Sequence, residues 1–151
     1  MSSQIDMNLY SRQIGTIGIE TMRKLIQFKI LIVGLRGLGI EVAKNIILSG
    51  PERVSLFDPE YVKINDLGSN FYLSNEDIQN KLRRDEACLK KLIELNPYVK
   101  CDIMEGFDII SQIKNYNIFF LWSILEFILF FSGLLFPKSI IILSVTSIIF
   151  N

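Results

Sequence analysis

The chain contains no histidine, which removes the side chain most often used as a general base or metal ligand near neutral pH. Cysteine is almost as scarce. Cys88 and Cys101 stand alone, and their separation matches neither a metal-ligand nor a redox pair. Both lie in apolar-periodic segments, which predicts buried free thiols and suits a reducing compartment. Net charge is missing as well: 16 basic residues balance 16 acidic ones. No global field then favours nucleic acid or an anionic membrane, and neither is expected as a partner. Met1-Ser2-Ser3-Gln4-Ile5-Asp6 lacks the basic and apolar regions of a signal peptide. One stretch is poor in charge: Glu126 is the single charge in the nineteen residues from Ile118 to Phe136. That run is long enough for a membrane span. Glu126 at its centre, Ser123, Ser132, Gly133 and the lack of an upstream basic cluster favour a strand followed by a buried helix.

What the chain has is apolar material in alternating blocks. Its 151 residues, half of them hydrophobic, suit a single domain over 1–151 that buries about 70% of the surface its unfolded chain exposes. Ile19, Met22, Leu25 and Ile26 mark one face of a short helix from Gly18 to Gln27. Lys29 to Val33 is a continuous apolar run ending at Gly34, as in a strand buried on both faces. Ile40, Val42, Ala43, Ile46, Ile47 and Leu48 mark a helix stopped by Gly50-Pro51. Arg53 to Phe57 predicts a second strand, blocked at Pro59. Glu60 to Leu73 has no period and predicts a long loop. Ser74 or Asn75 is positioned to cap one helix running to about Leu95. Further strands are expected over Tyr98–Met104, Asn117–Leu121 and Ser139–Val145, with a helix over Ile124–Phe136. Strands alternating with helices, without repeats, predict an α/β fold: a Rossmann-like, mostly parallel sheet with helices on both faces.

The loop Gly34-Leu35-Arg36-Gly37-Leu38-Gly39 joins the first strand to its helix. Free N–H groups and the helix dipole at such a terminus suit a phosphate, and glycines allow close approach. Asp58, 24 residues after Gly34, stands where an acid accepts hydrogen bonds from a ribose. Gly34, Gly37, Gly39 and Asp58 are therefore the candidate cofactor-binding residues. The order is G-x-x-G-x-G, however, not the dinucleotide pattern G-x-G-x-x-G, and the same glycines serve close helix–sheet packing equally well.

Five blocks occur in order: Tyr10-Ser11-Arg12-Gln13; the glycine loop; Glu41 to Leu48; Asp66-Leu67-Gly68-Ser69-Asn70-Phe71-Tyr72-Leu73; and Leu95-Asn96-Pro97-Tyr98-Val99. From about Leu9 to Ile103 the chain resembles the adenylating fold shared by ubiquitin-activating enzymes and bacterial sulfur-carrier adenylating enzymes. The likeness is closest to the inactive N-terminal adenylation domain of the ubiquitin-activating family. The resemblance implies a pseudo-dimer. A catalytic half uses ATP and Mg to adenylate the C-terminal glycine of ubiquitin before thioester transfer, and a supporting half completes it.

Two departures from the family pattern imply the supporting half here. Ser69 stands where active members carry an arginine for the ATP phosphates, and a hydroxyl cannot neutralise a triphosphate. After Ile118-Phe119-Phe120-Leu121 no aspartate follows to hold magnesium. Lys81 lies in an irregular turn and receives no role. ATP and Mg are thus expected in the partner half, with no cofactor and no metal on this chain, and the glycine loop is expected to be a packing remnant. Arg12 matches the family arginine that reaches in trans to the partner's ATP, and it is the one candidate catalytic residue. The alternative for Arg12 is a surface arginine paired with a local carboxylate.

The expected partners are the catalytic half and ubiquitin or a ubiquitin-like protein, in the cytoplasm, the nucleus or both. A supporting subunit of a SUMO-type activating enzyme and a purely structural interaction module are the alternatives. A nucleotide or dinucleotide enzyme in its own right fits least. The apolar end from Trp122 to Asn151 suggests a piece of a longer enzyme, or one half of a heterodimer, that self-associates when isolated.

Overall fold

The computed structural model describes residues 6, 8–106, 109–121 and 141–144. Its elements are α1 (Ser11–Ile17), α2 (Ile19–Leu25), β1 (Lys29–Val33), α3 (Gly37–Ser49), β2 (Arg53–Phe57), α4 (Asn75–Gln79), α5 (Arg84–Ile93), β3 (Lys100–Ile103), α6 (Ile109–Gln112), β4 (Ile118–Leu121) and β5 (Ile141–Ser144). Two short 3-10 turns occupy Ile64–Gly68 and Ile113–Asn115.

The five strands form one sheet in the order β3-β2-β1-β4-β5, and every pairing is parallel. Ile30 lies opposite Val54 on one side and Ile118 on the other, which makes β1 the centre of the sheet. Alternation along a strand sends successive side chains to opposite faces. Ile30, Ile32, Val54 and Leu56 pack in one cluster with Ile40, Ala43 and Ile47 of α3 and Ala87, Cys88 and Leu92 of α5. On the opposite face Leu31, Val33, Ser55 and Phe57 are buried too. Burial of both faces explains why β1 and β2 read as unbroken apolar runs rather than as alternating ones.

Three readings of the sequence are corrected. The helix expected from Gly18 begins at Ile19, and a second helix, α1, precedes it. Gly18 at φ +82° separates the two, a conformation glycine adopts without strain. The single helix expected from residue 75 to 95 is two. Lys81 at φ +50° breaks it, and residues 82–84 bond back to the chain after β2: Val62 N–H to the Leu82 carbonyl and Arg84 N–H to the Glu60 carbonyl, each 3.0 Å. The loop after β2 is long as expected, but it contains the turn Ile64–Gly68.

The fourth and fifth strands appear within their expected ranges, and 118–121 is strand rather than helix. Among the described residues no helix is long and apolar enough to cross a membrane. The helix expected over 124–136 and the apolar end lie outside the described residues. Cys88 is buried as expected, and Cys101 is half-buried on β3; both are free. Burial pushes the Cys88 thiol up to about 12.

Candidate functional site

Helix α3 carries a polar cluster at each end. At its N-terminus, β1 ends in Gly34, whose φ of +89° turns the chain while its N–H bonds the Phe57 carbonyl at 2.9 Å. Leu35 follows, fully buried, and donates its N–H to Asp58 Oδ2 at 2.8 Å. Buried Asn70 donates to the Leu35 carbonyl at 2.9 Å and accepts from the Tyr72 N–H at 3.0 Å. The loop backbone is thus held from both sides by side chains of this chain.

Asp58 is at the tip of β2, where the sequence places it, but its oxygens are largely taken. Oδ1 accepts from the Glu60 N–H at 3.1 Å and from Arg84 Nη1 at 3.1 Å; Oδ2 accepts from Leu35 and lies 3.3 Å from the same Nη1. A carboxylate offers about four acceptor positions, and three donors, Leu35 N–H, Glu60 N–H and Arg84 Nη1, already occupy most of them.

Arg84, the first residue of α5, is 1% exposed. Its Nε donates to Asp66 Oδ2 at 2.9 Å, and its Nη2 lies 3.9 Å from Glu60 Oε2. Burial opposes the Arg84 charge, but Asp66 and Asp58 outweigh it and raise its proton affinity. Burial likewise disfavours the Asp66 charge, yet Arg84 and the Lys63 N–H hold its carboxyl below the usual range. Asp85 is also buried. It accepts from the Asp58 N–H at 3.0 Å and pairs with Arg83. Burial dominates there and pushes its carboxyl up.

Four acids (Asp58, Glu60, Asp66, Asp85) therefore face Arg83 and Arg84, with Lys63 on Glu60 at 2.7 Å. Arg36 of the loop adds its field to Glu60 and Asp66. Acids and bases in the cluster balance, four against four, and two of its buried donors, Arg83 Nε and Arg84 Nη2, have no hydrogen-bond partner among the described residues. Above it, a Cβ placed on Gly37 would meet Ser69 Cβ at 2.9 Å. Ser69 thus rests directly against the loop glycine, and that contact accounts for Gly37 by packing. Gly39 is buried within α3.

The C-terminal end of α3 is held by neutral groups. Gly50, at φ +85°, caps the helix, and the Tyr10 ring lies against it: a Cβ there would sit 2.5 Å from the Tyr10 hydroxyl. Asn96, also buried, donates to that hydroxyl at 2.9 Å and to the Ile47 carbonyl at 3.0 Å. Gln13 Nε2 donates to the Ser49 carbonyl at 3.0 Å. Arg12, between these anchors in the chain, is exposed and forms no ion pair among the described residues. Lys81 is likewise exposed; its contribution is the backbone turn between α4 and α5.

Reading the sequence missed Arg84, and it gave Asp66 and Asn70, both inside the block from Asp66 to Leu73, no role in the site. Arg84-Asp85 at the head of an apolar helix reads as an ordinary charged first turn, and charged residues are seldom fully buried. Asn96 lies inside the block from Leu95 to Val99, but nothing local ties it to Tyr10.

A parallel sheet with a glycine turn entering a helix beside an acid at the next strand's tip defines a Rossmann-like domain of the nucleotide-fold class. The ThiF family profile matches residues 10–120, and the chain belongs to the ThiF family. It is 43% identical over 115 residues to ubiquitin-like modifier-activating enzyme 1 of Dictyostelium discoideum, covering 76% of this chain and 11% of that protein. It is 46% identical over 98 residues to human ubiquitin-like modifier-activating enzyme 6, covering 65% of this chain and 9% of that protein. The chain thus spans about a tenth of the length of these relatives. In fold it is similar to the E. coli tRNA N6-threonylcarbamoyladenosine dehydratase solved in complex with AMP. The TM-score is 0.68 at 15% identity, covering 82% of this chain and 52% of that one.

Proposed function

We propose that this chain is the supporting half of a ubiquitin-activating enzyme of the cytoplasm or nucleus. It pairs with a catalytic half that uses ATP and Mg to adenylate the C-terminus of ubiquitin. The observation that carries this reading is the contrast around α3. The glycine loop is held by Asp58, which Arg84 engages in turn, and packed by Ser69, while Arg12 stands exposed on an anchored helix and forms no ion pair among the described residues. Arg12 offers a guanidinium to phosphate oxygens supplied by another subunit. Such a group is permanently charged, forked, and able to stabilise charge developing on the phosphates and their leaving group. The relatives' names, ubiquitin-like modifier-activating enzymes, support the substrate class.

The test is ATP–pyrophosphate exchange with the catalytic half supplied, comparing wild type with Arg12→Ala. A marked fall is expected, and unchanged exchange removes Arg12 from the chemistry. The loop is tested separately by titrating the chain with ATP–Mg in a calorimeter. A Kd below about 100 μM, about −5.5 kcal/mol, contradicts an empty loop.

The charge-balanced cluster also suits a second reading, a structural and interaction module with no role in catalysis. Arg12→Ala separates the two, since a module of that kind loses no exchange. A SUMO-type partner is distinguished by which modifier supports exchange.

A further inference from the structure

Helix α1 has no buried residue of its own and no side-chain cap. Seven residues with only Gln13 and Ile14 half-buried and a neighbour in α2 do not by themselves hold a helix in place in water. What fixes it is a pair of anchors three positions apart, Tyr10 and Gln13, which fall on one side of a helix. Arg12 lies between the two anchors in the chain and is exposed. Both anchors end on α3: Gln13 on the Ser49 carbonyl, Tyr10 against Gly50.

Asn96 completes the device. Its amide donates to Tyr10 and Ile47, and its oxygen accepts the Tyr98 N–H at 3.1 Å. Tyr98 in turn donates its hydroxyl to Asp6 at 2.9 Å, and Asp6 accepts the N–H groups of Asn8 and Leu9 at 3.0 Å each. Two sequence blocks 86 residues apart thus form one mounting for the segment that bears Arg12.

We propose that Gln13 and Asn96 are positioning residues for Arg12, which set where its guanidinium stands relative to the partner subunit. The inference rests on the reading of Arg12 as a residue acting in trans. A charge delivered across an interface depends steeply on placement, because misplacement of about 1 Å costs on the order of 100-fold in well-oriented sites.

The experiment is ATP–pyrophosphate exchange by the complex of this chain with its catalytic half, read as kcat/KM for ATP in a double-mutant cycle. Gln13→Glu keeps the shape of the side chain but replaces the donor facing the Ser49 carbonyl by an acceptor. Asn96→Asp does the same at the Ile47 carbonyl, where the Tyr10 hydroxyl can still turn to donate to the new carboxylate. With Arg12 present, each is expected to lower kcat/KM about tenfold, the equivalent of about 1.4 kcal/mol. In the Arg12→Ala background each is expected to cost less than about twofold, because nothing remains to be positioned. Gln13→Lys, which restores a donor and suits the negative end of α3, is expected to recover most of the activity. Equal losses in both backgrounds, or no loss with Arg12 present, overturn the inference while leaving Arg12 in its role. An Arg12→Ala complex with full activity overturns the reading beneath it. Should Asn96→Asp fail to fold, the half-buried Gln13 carries the cycle alone.

Discussion

The two ends of α3 are built on opposite plans. At the N-terminal end, charged groups are buried and spend themselves on each other: Arg84 on Asp58 and Asp66, Arg83 on Asp85. At the C-terminal end, neutral donors from Gln13 and Asn96 occupy the helix carbonyls, and Arg12 forms no ion pair among the described residues. A domain that binds its own nucleotide needs unspent charge at the first end. A domain that lends a charge to a neighbour needs it at the second.

The largest expected effect tests whether the N-terminal cluster is a single unit. Arg84→Met keeps volume but strands two buried carboxylates, and a loss of about 3–5 kcal/mol is expected, read from the urea midpoint. A loss below about 1 kcal/mol means Asp58 and Asp66 find other partners. At the opposite end, Gly50→Ala forces a side chain into φ +85° and towards the Tyr10 hydroxyl. About 1–3 kcal/mol is expected there, with Tyr10 displaced. A neutral result in thermal denaturation would mean that α1 is not seated on Gly50.

The ionic end should also show itself in acid, where the neutral end does not. Asp66 has a depressed carboxyl in the fold, so its contribution is present above its ordinary value of 3.8 and is lost as pH falls through the folded value. Asp85 has a raised one, so its contribution is present below 3.8 and is lost as pH rises through the raised value. Urea midpoints followed from neutral pH into acid are therefore expected to fall less steeply for Asp66→Asn and more steeply for Asp85→Asn than for wild type. Parallel profiles break the assignment. The smallest effect belongs to Arg12→Ala, which should change stability by less than about 0.5 kcal/mol. A larger change would give Arg12 a local partner and erase the contrast between the two ends.

The central strands were legible in the sequence because their cause is local. A run such as Ile30-Leu31-Ile32-Val33 between a lysine and a glycine has few other uses, and both faces are indeed covered. The division of the 75–95 helix was not legible, because the backbone groups of residues 82–84 are claimed by Glu60 and Val62 from a distant loop. Helix α1 left no apolar period to read, since it buries nothing; its seat is made by Asn96. The same holds at the glycine loop. Asp58 was legible as an acid at a strand tip. That Arg84, 26 positions on, would take its oxygens depends on a burial that composition argues against.

The placement of β1 sets the timetable of folding. Its neighbours are β2, which follows within twenty-five residues, and β4, which begins at Ile118. The Lys29 N–H waits for the Asn117 side chain, 88 positions later. At synthesis rates of about 5–20 residues per second, that gap is roughly 4–18 s. Through that interval the strand at the heart of the sheet has one flank open, and its apolar edge invites pairing with any other unfinished chain. Parallel sheets closed by distant segments form slowly for this reason. The glycine turn and α3 come immediately after β1, and they can cover one face of the strand long before its open flank is filled.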